Sequence, residues 1–216
     1  MLRNKKTLHT ETSITVKKNF FISTLLFLLI SLSAPMALAV SITAVQALDI
    51  ERMKSPAALK AAQELMKAAF TEAAAAGRPD FKLQKLLLEK SGTCISRIVE
   101  AQHTRALSSS RALELLAHNR ELLTDILQHN NKIIVDFQEH RLDSMQDTAA
   151  FFKSDAWQQP QYLISLAGYW QSWNGYYRAL LRDISAPERT DLLGQARQGF
   201  SRAFIDFQEH SIRIRS

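Results

Sequence analysis

From residue 80 to residue 159 the sequence contains one glycine, Gly92, and no proline. A β-sandwich or barrel needs turn residues about every ten positions, so a stretch this long without them excludes those folds. The whole chain spends only six Gly and five Pro on 216 residues. The fold class predicted is all-α, an elongated bundle with coiled-coil-like helices.

Cys94 is the only cysteine, so an internal disulfide and the paired thiols of zinc and redox sites are both excluded. Gly-rich phosphate loops and the glycine elbow of a nucleophilic serine are missing as well. No catalytic residue and no cofactor is expected, and the chain reads as a non-enzyme. Hydrophobic residues at 46% and charged residues at 22% match an ordinary folded protein.

The net charge of +6 is unevenly placed. Residues 1–47 hold Arg3, Lys5, Lys6, Lys17 and Lys18 against Glu11, which leaves the remainder with 22 basic and 20 acidic side chains. A body so close to neutral releases few counterions from a phosphate backbone, and no nucleic-acid partner is expected.

Lys17 and Lys18 precede an apolar run at 20–32, and Ala37-Leu38-Ala39 supplies an A-x-A cleavage pattern. A second cut is conceivable after Ala47. No charge falls between Lys18 and Asp49, so the same stretch is long enough for an uncleaved anchor with possible membrane contact. The expected organisation is a signal peptide or anchor at 1–47, N-terminal helices at 48–109 and an amphipathic helical region at 110–216.

Ser55-Pro56 opens a helix over 57–76 that Gly77-Arg78-Pro79 ends. Asp80 caps the next over 81–88, with a kink expected at Ser91-Gly92-Thr93 before a segment at 94–107. The serines at 108–110 either start a fresh helix or sit within a longer one. From Arg111 to about Lys153 apolar pairs recur every seven residues, Leu115-Leu116 with Leu122-Leu123 and Ile126-Leu127 with Ile133-Ile134. That repeat marks a seam against other helices. A helix of that length would extend about 60 Å.

Pro160 is placed in the first turn of a helix reaching Ile184, and Ser185-Ala186-Pro187-Glu188 has the form of a capping box for the last one. The Pro160 helix carries an aromatic concentration: Trp157, Tyr162, Tyr169, Trp170, Trp173, Tyr176 and Tyr177 include every Trp and Tyr in the chain. Leu163, Leu166, Trp170, Trp173, Tyr177, Leu180 and Ile184 follow the spacing of a buried face, while Tyr162, Tyr169 and Tyr176 form an adjoining stripe. One seam does not easily bury both stripes. The seven aromatic residues are therefore the expected interaction surface, against a core-filling alternative.

Asp136-Phe137-Gln138-Glu139-His140 recurs as Asp206-Phe207-Gln208-Glu209-His210. The plain reading is a repeated helical unit with Phe inward and Asp and His paired four apart. A di-iron bundle needs two Glu-x-x-His motifs, and Glu100 to His103 is the only one, so no metal is expected.

Residues 131–184 resemble the phasins, helical proteins that coat polyhydroxyalkanoate storage granules. The resemblance rests on Phe137 and Arg141-Leu142 in one helix, a break ending at Pro160, then Leu163, Leu166, Trp170 and Tyr177 in a second amphipathic helix. It covers about a quarter of the chain. Ala167 and Gly168 stand where many phasin-like sequences carry a polar pair. The resemblance implies no active site, binding of an apolar polymer or granule surface through broad helix faces, and a homo-oligomer. It places the protein on cytoplasmic granules, whereas the leader places it in the cell envelope or periplasm. The alternatives are an exported cell-envelope scaffold or binding module and a metal-binding helical bundle.

Overall fold

The computed structural model describes residues 42–77, 80–140, 148–183 and 185–215, without the side chains of 140 and 207–215. The apolar run at 20–32 and the A-x-A pattern lie outside the described residues. The chain divides between Thr43 and Ala44, and the unit Ala44–Ser216 holds the helices that follow. The fold is all-α: among the described residues there is no strand.

A 3-10 turn at Ile50–Arg52 leads into α1, Pro56–Ala75. Ser55 caps α1 as its sequence requires, its hydroxyl accepting from the Ala58 N–H at 3.1 Å, with Pro56 in the first turn. Gly77, in the left-handed region at φ 68°, closes the other end. Helix α2 spans Phe81–His103, and Asp80 accepts from the Leu83 N–H at 2.8 Å. It runs through Gly92 without the expected kink. The glycine is there because the Trp170 indole lies where a β-carbon would be: that carbon would stand 2.6 Å from two ring atoms. Tertiary packing overrides the local helix-weakening of glycine.

At Arg105, a non-glycine residue with φ 61°, the chain turns, and the Leu107 N–H reaches back to the Ala101 carbonyl at 3.0 Å. Ser108 then accepts from the Arg111 N–H at 3.3 Å, so the serines begin a new helix, α3, Ser109–His140. Its 32 residues give ~48 Å of rise, and the continuation to Lys153 that the repeat predicts runs through residues that are not described. Residues 141–147 lie outside the described residues. A short α4, Thr148–Phe152, precedes α5, Asp155–Leu180, and α6, Pro187–Arg215. Helix α5 starts at Asp155, five residues ahead of Pro160. The proline is thus buried inside it, where the missing N–H removes one early rung of the ladder. The helix stops at Leu180, and Ile184 lies outside the described residues. Glu188, expected in a capping box, instead accepts from Arg182 Nη1 at 2.7 Å, and α6 starts at Pro187.

Helices α1, α2, α3 and α5 form the core, with α2 and α3 in contact with each other and with both of the remaining two. Neighbours in sequence alternate in direction. Gln84 meets Asn130 and Asn119 meets Ser91, which sets α2 antiparallel to α3, and Ser172 with Gly199 and Ser165 with Asp206 set α5 antiparallel to α6. Helix α6 packs on α5, its principal neighbour. Residues 45–53 are strapped to α2, where Lys90 Nζ donates to the Leu48 carbonyl at 2.6 Å and Arg97 to that of Met53 at 3.2 Å. Helices on both sides of residue 110 therefore pack into the same unit.

The seven-residue repeat does mark the core. Leu115, Leu116, Leu122, Leu123 and Ile126 of α3 are buried, facing Leu83, Leu87, Leu88, Ile95 and Ile98 of α2 and Leu59 and Met66 of α1. Each such side chain contributes roughly 1.5–3 kcal/mol of transfer free energy.

Candidate interaction surface

The aromatic residues of α5 are positioned by the central place of that helix. It touches α2 and α3 on one side and α6 on another, so it has no single buried stripe. Its fully or nearly buried positions include Leu163, Ala167, Asn174 and Ala179, with Ser165 and Ser172 beside them. The small residues let other helices come close: Ala196 lies at the edge of Gly175, and a β-carbon on Gly199 would crowd Ser172.

Of the seven residues expected at an interaction surface, Trp157 is buried and the other six are half-buried. Trp157 packs edge-on to Phe152, centroids 5.0 Å apart, in a cluster that continues through Phe151 to Phe137 of α3. Trp170 covers Gly92 of α2. Tyr169, Trp173, Tyr176 and Tyr177 form a second cluster with Phe200 of α6, in which Trp173 stacks on Tyr177 at 5.5 Å and meets Phe200 edge-on at 5.1 Å. Tyr162 lies under the ammonium of Lys85, 5.9 Å from the ring centre. The two stripes that one seam could not bury are thus shared among several neighbours. Within the face expected to be buried, Leu163 is enclosed and Leu180 is 46% exposed.

The large apolar side chains that do face outward lie elsewhere. Phe204 and Ile205 of α6 are 63% and 54% exposed, the highest values for large apolar side chains among the described residues, followed by Leu180 of α5 and Val135 towards the end of α3. Among the described side chains of α6, those that are buried are the alanines Ala196 and Ala203. The spacing of Leu192, Ala196, Phe200, Ala203, Phe204 and Phe207 predicts one inward face for this helix that includes both Phe200 and Phe204. Only Phe200 finds rings to pack on, because α6 has one principal neighbour and the small residues of α5 draw the alanines in.

One contact can be described in each copy of the repeated pentapeptide. Phe137 of the first copy meets Phe151 at 5.0 Å, and Asp206 of the second accepts from the Ser165 hydroxyl at 3.2 Å. The histidine partners expected for the two aspartates lie among side chains that are not described.

Among the described residues no group of three or more His, Cys, Asp and Glu side chains could hold a metal ion. Glu100, of the single Glu-x-x-His motif, pairs with Arg97. His129 sits edge-on to Phe70 at 5.7 Å, and burial, then the Lys132 charge, lowers its pKa. Cys94 is enclosed in α2, where burial pushes the thiol up to about 12 against the weaker opposing pull of Lys90. A thiol of that kind is protonated at neutral pH and inert. Native protein is expected to leave Ellman's reagent unreacted at pH 8, and guanidinium to release one thiol per chain; rapid labelling of the native state would contradict the burial. No described helix is long and apolar enough to cross a membrane.

Sequence reasoning missed a set of buried amides. Gln63 donates to the Leu115 carbonyl at 3.0 Å, Asn174 to that of Leu116 at 2.9 Å, and Asn130 to Gln84 at 2.6 Å. Asn119 and Asn130 occupy slots in the α3 seam, so a polar residue at a position the repeat assigns to the core was the available signal. Such residues set register and orientation in helical assemblies at a cost in stability.

Compared with known proteins, the chain matches no family model, no curated protein and no solved structure.

Proposed function

We propose that this is a non-catalytic helical protein that binds an apolar surface and copies of itself, the surface being that of a polyhydroxyalkanoate granule. The observation that carries the reading is the outward face of α6, where Phe204 and Ile205 are more than half exposed on a helix anchored inward mainly through alanines. Covering two such side chains is worth a few kcal/mol at ~25 cal/mol per Å². Val135 and Leu180 offer further apolar area at other points. The polymer is chosen from the phasin resemblance of residues 131–184, and it requires no active site.

Phe204→Gln with Ile205→Gln keeps helix propensity and solubility while removing the apolar face. The double variant is expected to bind polyhydroxybutyrate particles at least tenfold more weakly, with its melting temperature changed by no more than about 2 °C, since exposed substitutions move stability by about 0.5 kcal/mol. A fluorescent fusion of the unaltered chain that stays off granules in a polymer-producing host overturns the reading.

An exported scaffold in the cell envelope is the second reading, and one observation favours a particular version of it. Val45 is fully buried in the helical unit, and Lys90 holds the Leu48 carbonyl. Cleavage after Ala39 keeps this strap, whereas cleavage after Ala47 removes Val45 from the core. Sequencing the N-terminus of the native protein separates the two readings: a start at Val40 favours export, and an intact chain in the cytosol rejects it.

A further inference from the structure

Arg178 projects from α5 towards α3 into a shallow cavity of about 410 Å³ bordered by Lys67, Arg120, Glu121, Thr124, Asp125 and Gln128. The Nε and Nη1 atoms of its guanidinium are shielded from solvent, and neither has a hydrogen-bond partner. Arg182, one turn further on, gives Nη1 to Glu188 and leaves its own Nε buried and unpaired. Shielded cationic donors without acceptors are costly, and arginine is normally retained in such places only with an anion in its fork.

The acids nearby do not answer this need. Glu121 is held by Lys67 at 2.5 Å and lies 3.7 Å from His118. Asp125 borders the cavity and makes no hydrogen bond to Arg178, its charge acting on Lys67 instead. Burial, followed by repulsion from Arg120 and Arg182, lowers the Arg178 pKa. Arg120 and Arg178 therefore lie close to each other, and neither makes an ion pair with Glu121 or Asp125.

We propose that Arg178 and Arg120, on facing helices, form a binding site for a single phosphate group. A guanidinium presents paired N–H donors that match two oxygens of a phosphate, and Thr124 and Gln128 add neutral polar atoms at the rim. The cavity border carries three cations and two carboxylates, a balance that suits one phosphate and disfavours a polyphosphate. The phosphate is either free in solution or the headgroup of an anionic lipid. This site is separate from the apolar face of α6 and goes beyond the granule-binding reading.

The test uses the full chain and its Arg178→Met variant, which keeps the apolar stem and removes the charge. Inorganic phosphate, compared with chloride at equal ionic strength, is expected to raise the melting temperature of the unaltered protein and to leave the variant unmoved. The alternative source gives its own result: cosedimentation with phosphatidylglycerol vesicles, at least tenfold weaker for the variant, and none with phosphatidylcholine vesicles for either protein. Without any anion the variant is expected to melt higher than the parent, because an unpaired shielded charge is gone. Response to neither probe overturns the site, as does an equal response of parent and variant. A variant that melts several degrees lower without anion also overturns it, since the guanidinium would then be a structural brace.

Discussion

Replacing Asn174 by aspartate is expected to cost about 3–5 kcal/mol at neutral pH, the range for an uncompensated buried charge. That is a large share of the roughly 5–15 kcal/mol that holds a domain folded. Asn174 is fully buried and its Nδ2 donates to the Leu116 carbonyl at 2.9 Å, joining the middle of α5 to α3. A carboxylate there would place an oxygen against that carbonyl oxygen and lose its hydration. Both effects raise the carboxyl pKa in the folded state above the unfolded value of about 3.9. The folded protein then binds the proton more tightly than the unfolded chain. The penalty is small below about pH 4, where the neutral acid can donate to Leu116, and it grows as pH rises until the folded-state pKa is passed. Urea melts of parent and variant at several pH values check this. The gap between them should widen from pH 3.5 to pH 7, and a gap independent of pH would show that the position is solvated.

Gly92→Ala is expected to destabilise by about 2 kcal/mol, although the same change in an exposed helix stabilises by ~1 kcal/mol. The new carbon would stand 2.6 Å from Cε2 and Cη2 of Trp170, within the fused ring system and not at the end of a flexible chain. Tyr169 packs against that indole at 5.1 Å, so its displacement would propagate along α5. Overpacking of this kind costs ~1–3 kcal/mol in a close-packed interior. A smaller residue at 170 should relieve it: Gly92→Ala combined with Trp170→Leu is expected to lose less stability than the two single changes added together, by 1 kcal/mol or more. Additive losses in chemical denaturation would place the indole elsewhere.

These two positions show what the sequence could and could not convey. Helix type followed from scarce punctuation, and the start and end of α1 and the start of α2 from Ser55, Gly77 and Asp80, because caps and breakers act within a few residues. The α3 core was readable from its repeat, since one side of that helix faces the other core helices continuously. Gly92 misled because its cause lies seventy-eight positions away in Trp170, and a local rule reads only a weakened helix. The burial of the aromatic stripes was likewise beyond a local rule. Periodicity assigns one inward face per helix, whereas α5 is covered from several directions, and its seven Trp and Tyr residues end buried or half-buried. The exposed pair Phe204 and Ile205 was hidden in a pattern that places Phe204 inward, because the number of neighbours α6 has is a property of the assembly. Nothing local distinguishes Arg178 from an ordinary surface arginine; its isolation arises only when α3 and α5 come together.

The attachment of α6 mainly to α5 makes the molecule unequal in its resistance to opening. The other long helices touch two or more neighbours, while α6 packs mainly on α5, with Ala196, Ala203 and Phe200 inward among its described side chains. Lifting it opens one principal interface, whereas displacing α2 or α3 opens at least three. Each such excursion uncovers Tyr169 and Trp173, so an aromatic cluster lies behind a helix held mainly by one neighbour.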